Sequence, residues 1–199
     1  MCAVKLAWLI FALGGCVTVI DGESSNDRSG PPAADASTGS AMSPAETAVA
    51  RGMEWVAAMV PYCQAANHQP DGDSSCSATC DRPDNPAWDA YRSDCSGFVS
   101  WSWGLPPPGE TTATLAPFDT TVSTAIDATQ LQPGDAINND THTMLFVAWT
   151  TGMTEATFME EPGCSASQPY AREVTIGVTA SGQSVTVEGY GTFTAIRQK

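Results

Sequence analysis

The sequence predicts an α+β domain in which helices come first and an antiparallel sheet follows. Helical patterns lie at residues 44–60 and 95–103. From residue 135 onward, short segments rich in β-branched residues are separated by glycine-bounded or polar turns, which indicates strands. Helices followed by a run of strands are typical of domains in which N-terminal helices pack on one antiparallel sheet.

The first helix has a strong start signal. Ser43 can serve as N-cap, Pro44 suits the first helical position and Glu46 completes a capping box. Five apolar residues then recur at helical spacing and predict one buried face, namely Val49, Met53, Val56, Ala57 and Val60. Pro61 is expected to end this helix.

The second helix begins at Cys95 and is apolar on most sides, so we expect it to be the central buried helix. Gly104 and the three prolines at 106–108 are expected to end it near Trp103. Six strands are predicted after it, at residues 135–138, 143–149, 155–160, 174–179, 184–187 and 190–196.

The N-terminal region carries the features of an exported protein. Residues 1–15 combine one positive charge with an apolar segment too short to span a bilayer, which predicts a signal peptide. The following Cys16 closes a stretch that resembles a lipobox, where a bacterial lipoprotein is cleaved and lipidated. The alternative is an ordinary secretory signal cut nearby. Residues 16–43 are polar and small and predict a disordered tether, which leaves residues 44–199 as one domain.

The charge of the chain is strongly acidic. The net charge is −14 over 199 residues, and removing residues 1–15 takes away only Lys5, leaving 7 basic and 22 acidic residues. Such a surface disfavours binding to nucleic acid and to anionic lipid headgroups. A membrane link would therefore depend on the acyl chains of the lipidated cysteine.

Seven cysteines are present, and four of them predict two disulfides. Cys2 leaves with the signal peptide, Cys16 is the lipidation candidate and Cys95 has a chemical context of its own. Four cysteines remain, namely Cys63, Cys76, Cys80 and Cys164. An even number of cysteines in an exported chain indicates disulfides, and four cysteines allow three different pairings. A zinc site made of these cysteines and His68 is the alternative. Residues 64–90 are polar and turn-rich and predict an insert stapled by the disulfides.

The central motif is the stretch Asp94-Cys95-Ser96-Gly97-Phe98-Val99. His142 follows about fifty residues later, at the head of an apolar run, and acidic residues follow that run. Cysteine, histidine and an acid are the parts of an activated nucleophile, its base and the group that orients the base. A thiolate at a helix N-terminus is favoured by the helix dipole, and the free N–H groups there can hold an oxyanion. The structural alternative for Cys95 is a small buried core residue.

This motif, together with Leu131-Gln132-Pro133-Gly134-Asp135 before the histidine, resembles the NlpC family of cell-wall cysteine peptidases. The resemblance covers residues 45–165 and implies a papain-like fold, with Cys95 as nucleophile and His142 as base. In that family the third group comes from the strand after the histidine strand. Strand alternation puts only one of two carboxylates on the histidine side, and we choose Glu160 over Glu161.

The same resemblance places further residues at oxyanion or substrate positions, namely Tyr62, Asp94, Ser96 and Glu161. The Tyr62 hydroxyl would lie near the oxyanion, although Tyr91 competes for that role because the insert lengthens the spacing. Asp94 would help to select the stem peptide, or would act only as a helix N-cap. Glu161 could bind a cationic group of the substrate. His68 is expected to be non-catalytic.

Together these features predict a lipid-anchored cysteine hydrolase of the bacterial cell envelope that cleaves peptidoglycan stem peptides through an acyl-enzyme. We expect it to be monomeric, to bind no nucleic acid and to need no metal or organic cofactor. An amidase or acyltransferase could use the same site. A non-catalytic wall-binding module is the alternative from another class.

Overall fold

The computed structural model describes residues 41–72 and 76–199, in which two α-helices precede seven strands. The predicted signal peptide, the lipidation site Cys16 and nearly all of the tether lie outside the described residues. No helix in the described part of the chain is both long and apolar enough to cross a membrane. The helices are α1 (Pro44–Ala58) and α2 (Cys95–Trp103), and the strands are β1 (Ser123–Ala125), β2 (Ala136–Asn138), β3 (Thr143–Thr151), β4 (Glu155–Glu160), β5 (Arg172–Ser181), β6 (Ser184–Val187) and β7 (Gly191–Gln198).

The strands form a closed antiparallel barrel. Strands β2 to β7 follow one another around the ring in the order β7-β2-β3-β4-β5-β6, and β6 pairs back onto β7. The closing pairs run from Val187 with Gly191 to Ser184 with Thr194. The short strand β1 pairs with the far end of β7, from Ala125 with Ile196 to Ser123 with Gln198. Closure leaves no long open edge among these six strands.

The predicted papain-like α+β fold is therefore wrong. The described chain is mostly sheet, it has only two short α-helices, and the sheet closes on itself instead of lying open under a layer of helices. Alternation of apolar residues identifies a strand and its buried face, but carries no information about which strands pair. The closing strands β5 to β7 come from the C-terminal segment, which lies beyond the residues 45–165 that the resemblance covers.

The individual elements agree better with the sequence. Both helices are present, and α1 has the predicted capping box, with the Glu46 carboxylate accepting from the Ser43 N–H at 2.8 Å. The helix ends earlier than Pro61, because Met59 adopts a left-handed C-cap with φ of 47°. Its buried face also differs from the prediction, since it centres on Gly52 and Trp55 and leaves Met53 42% exposed.

The apolar core has two parts, and successive residues of β3 point into each of them. Leu145 faces the helices, where Trp55, Trp88 and Trp101 stack at centroid distances of 5.9 to 6.4 Å. Phe146 points into the barrel, where it meets other large side chains of the ring. All nine residues of α2 are buried, as the sequence predicted.

The insert at residues 64–90 is joined to the body by two disulfides. Cys63 pairs with Cys80, and Cys76 pairs with Cys164, which follows β4. The prediction of two disulfides is confirmed, and one of the three pairings is selected. The alternative zinc site has no thiolate ligands left, because all four cysteines are bonded to one another.

Gly97 should be essential to the fold around α2. Alanine is normally the better helix residue by about 0.5–1 kcal/mol, but a Cβ here would collide with the Arg92 carbonyl. We expect Gly97→Ala to lower the free energy of unfolding in urea by about 1–3 kcal/mol or more. Gly72→Ala is the control, because open space surrounds that position. A Gly97→Ala protein more stable than the parent would contradict the packing described.

Candidate active site

Cys95 lies at the first position of α2 and is the only free cysteine in the described part of the chain. Asp94 caps the helix by accepting from the Gly97 N–H at 2.6 Å. The thiol, 8% exposed at the residue level, therefore lies beside the unpaired N–H groups of a helix N-terminus. These groups favour a thiolate and can donate to a second negative oxygen.

His142 is held directly before β3 by the turn that precedes it. The Asn139 side chain accepts from the backbone N–H of His142 at 2.8 Å and from that of Thr141 at 2.9 Å. The imidazole ring stacks on Tyr190 at a centroid distance of 5.9 Å. Its Nε2 is 2.8 Å from Glu160 Oε2. With Nε2 engaged, Nδ1 is the ring nitrogen left for Cys95, the other group that acts on the imidazole.

The hydrogen bonds of His142 decide its charge. Burial alone would lower the pKa of the imidazole, but the hydrogen bonds and charges of Cys95 and Glu160 outweigh it and raise the pKa to about 9. The ring is therefore protonated at neutral pH. An imidazolium hydrogen-bonded to Cys95 is the partner that stabilises a thiolate.

Glu160 is the acid that contacts His142. It is fully buried, and its second oxygen, Oε1, accepts from Tyr190 at 2.6 Å and from two nitrogens of Arg172 at 2.8 and 3.0 Å. Burial raises the pKa of this carboxyl, but the hydrogen bonds from His142, Tyr190 and Arg172 overcome that effect and lower it. Glu160 is therefore ionised and fixes the imidazole in place.

Sequence reasoning missed both Arg172 and Tyr190. Arg172 lies directly opposite Glu160 in the β4–β5 pairing. A pair of opposite charges on two neighbouring predicted strands could therefore have indicated Arg172 as a partner of Glu160. Tyr190 reaches the site only because the sheet closes, and no local pattern indicates that.

Tyr62 and Asp94 lie with Cys95 along a groove of about 310 Å³. Asp94 is paired with Arg92 at 3.1 Å, and Ser96 Oγ donates to Asp94 at 3.1 Å. Burial raises the pKa of Tyr62, so its hydroxyl keeps its proton and can donate. The groove is lined by Tyr62, Gln64, Arg92, Asp94, Cys95, Ser96, Thr111, Thr112 and Thr141.

The competing tyrosine and the second histidine lie elsewhere. Tyr91 is buried in the helical core, where its hydroxyl donates to the Leu105 carbonyl and its ring packs on Trp101. His68 lies on the insert, exposed and 2.6 Å from Asp84. It lines a larger cavity of about 650 Å³, and Tyr62 is a lining residue of both this cavity and the Cys95 groove. The insert thus forms a wall beyond Tyr62.

Glu161 is fully buried, and neither of its oxygens has a hydrogen-bond partner in the described part of the chain. Burial raises the pKa of this carboxyl well above its usual range, and the charge of Arg82 opposes the rise. Glu161 is therefore a buried carboxyl that resists ionisation. It does not line the groove, where a substrate cation would have to meet it.

No protein-family model, curated protein or solved structure matches this chain. The resemblance to the NlpC family therefore stays a prediction based on its motifs. The geometry is a separate observation, because it brings Cys95, His142 and Glu160 together from three different elements.

The two histidines allow a direct test of the His142 charge by NMR titration. We expect one imidazole to titrate with a pKa of about 9, because of its bonds to Cys95 and Glu160. Glu160→Gln should lower that pKa, since it replaces the anion with a neutral amide. His68→Asn assigns the two signals. If the His142 signal in the parent protein titrates near the ordinary histidine value, the charge state described here is wrong.

Glu161 should make stability fall as pH rises. A carboxyl whose pKa is raised in the folded state contributes stability below its unfolded pKa and loses it as pH approaches the folded value. Between these limits we expect the parent to lose about 1.4 kcal/mol per pH unit relative to Glu161→Gln. Urea unfolding at several pH values measures this difference. Glu173→Gln, at an exposed position on β5, is the control for the loss of one carboxylate.

Proposed function

We propose that this protein is a cysteine hydrolase that cleaves peptide bonds through a covalent acyl-enzyme. The observation that carries the proposal is the hydrogen-bonded series of Cys95, His142 and the buried Glu160 beside an open groove. A buried structural cysteine has no need of an imidazolium partner, or of a carboxylate with three further donors behind it.

In the first step, the Cys95 thiolate attacks the carbonyl carbon of the scissile bond. The carbonyl electrons move to the oxygen, which accepts from the N–H groups of the α2 N-terminus and from the Tyr62 hydroxyl. His142 gives its proton to the amine nitrogen as the carbon–nitrogen bond breaks. A thioester with Cys95 and a free amine result.

In the second step, neutral His142 takes a proton from water, and the hydroxide attacks the thioester carbon. The carbon–sulfur bond breaks, the acid product leaves, and the thiolate and the imidazolium are restored. Glu160 remains ionised throughout and keeps the ring oriented. None of these steps requires a metal or an organic cofactor.

We propose peptidoglycan stem peptides as the substrate. The support is the resemblance of the Asp94–Val99 motif to the NlpC family, in which the aspartate helps to select the stem peptide. The cavity beyond Tyr62 offers room for a further part of such a peptide. The predicted lipoprotein signal fits an envelope location, and two disulfides fit an oxidising compartment.

Cys95→Ala should abolish release of peptide fragments from purified peptidoglycan, as measured by mass spectrometry of the soluble products. The physical reason is that no other described thiol is free to form the thioester. Glu173→Gln is the control, because it changes an exposed residue on β5 that lines neither the Cys95 groove nor the cavity beyond Tyr62, and it should retain the parent rate. Release of peptide fragments by Cys95→Ala at the parent rate would contradict the proposal.

The products also separate the alternatives. Fragments with a new amine and a new acid indicate a peptidase or amidase, according to the bond cleaved. Fragments with a new amide bond indicate acyl transfer to an amine. Binding to the wall without any new product indicates a binding module.

A further inference from the structure

Arg82 is a charged residue of the insert that lies almost completely inside the protein. It is 4% exposed, and its two terminal nitrogens donate to four acceptors. Nη1 donates to Ser93 Oγ at 2.8 Å. Nη2 donates to three carbonyls, those of Trp88 and Asp89 at 3.1 Å and that of Tyr91 at 2.6 Å.

All four acceptors belong to the segment that leads into the nucleophile. Ser93 directly precedes Asp94 and Cys95, and its hydroxyl donates onward to the Pro61 carbonyl at 2.7 Å. Ser93 also pairs with Cys63 through two backbone hydrogen bonds of 2.8 and 3.0 Å. One guanidinium therefore joins the strand-like segment before Cys95 to the segment that carries Tyr62.

Arg82 also faces the end of β4. Burial lowers the pKa of its guanidinium, while the negative charges of Asp89 and Glu161 oppose that effect. The charge of Arg82 acts on Glu161, the residue next to the His142 partner Glu160, and opposes the effect of burial on that carboxyl. The insert thus supplies one buried cation that lies near residues 88–93 before Cys95, near the segment that carries Tyr62 and near the end of β4.

We propose that Arg82 is a positioning residue that sets the placement of Cys95 relative to His142 and Tyr62. It touches neither substrate nor reacting atoms and acts through residues 88–93. Lysine carries its three donors on one nitrogen and cannot reach Ser93 Oγ and the three carbonyls from two separate positions, as the guanidinium does. This proposal rests on the proposed function, because a positioning role requires that Cys95 is a nucleophile. Its test measures Cys95 alkylation and needs no peptidoglycan.

The test is the pH profile of Cys95 alkylation by iodoacetamide, from about pH 5 to about pH 9, with peptide mapping. In the parent protein, the profile reports on the Cys95–His142 pair, because the thiolate is the form that iodoacetamide alkylates. In Arg82→Lys, the rate near pH 6 should fall about tenfold relative to the rate near pH 9, as expected when a charge-assisted hydrogen bond is lost. Ser93→Ala should change the profile in the same direction, but less.

Arg51→Met is the matched control. The Arg82 guanidinium carbon lies 5.8 Å from the Trp55 ring centroid. That of Arg51 likewise lies 4.3 Å from the Trp101 ring centroid, but Arg51 belongs to α1. Its loss should lower the melting temperature and leave the alkylation profile unchanged. A purely structural role for Arg82 predicts the same behaviour, so an Arg82→Lys protein that keeps the parent profile overturns the proposal.

The turnover of peptidoglycan tests the role of Arg82 independently of alkylation. If the parent protein hydrolyses peptidoglycan, Arg82→Lys should lower kcat about tenfold and leave KM within about twofold, since the substrate groove does not include Arg82. Equal loss in Arg82→Lys and Arg51→Met would contradict the proposal. If the parent shows an activated Cys95 but releases no fragments, the proposed function fails and the role of Arg82 stands.

Discussion

The ionised carboxylate of Glu160 is the constraint on which the rest of the site depends. A buried negative charge is very unfavourable unless donors surround it. Glu160 receives four such hydrogen bonds, from His142, Tyr190 and two nitrogens of Arg172. These donors come from the turn before β3, from β5 and from the turn before β7. The barrel therefore has to be closed for this charge to be stable, and a stable charge here keeps His142 protonated and oriented towards Cys95.

The two halves of the candidate site are supported by different parts of the chain. His142 and Glu160 depend on the barrel, whose pairings are set by main-chain hydrogen bonds. Cys95 and Tyr62 depend on the insert, through Arg82 and the Cys63–Cys80 disulfide. The Cys76–Cys164 disulfide joins these halves covalently, because it links the insert to the segment just after β4. A cysteine nucleophile and its base need a fixed separation, and this arrangement restrains both of them.

Much of the local structure could be predicted from the sequence. The capping box of α1, the start of α2 at Cys95 and the strand at 155–160 have the expected bounds, because caps and alternation are local signals. Alternation predicted that only one of Glu160 and Glu161 faces His142, and Glu160 was chosen because it directly follows the apolar residues Phe158 and Met159. The predicted buried face of α1 was wrong at Met53, which the spacing of apolar residues had placed inside. Trp55 is buried instead, because it stacks on Trp88 and Trp101, which are distant in sequence.

The sequence by itself determined the chemical types and the local order of the site: a cysteine at a helix start, a histidine at a strand start and an acid at the end of the next strand. It also determined that four cysteines would form two disulfides. Only the tertiary structure decided that the sheet closes, which disulfides form, and that Arg172, Tyr190 and Arg82 support the site. The hydrogen bonds of Arg82 to Ser93, of Arg172 to Glu160 and of Tyr190 to Glu160 join residues that are 11, 12 and 30 positions apart in the sequence. Periodicity and capping describe a single element, and they carry no information about which elements meet.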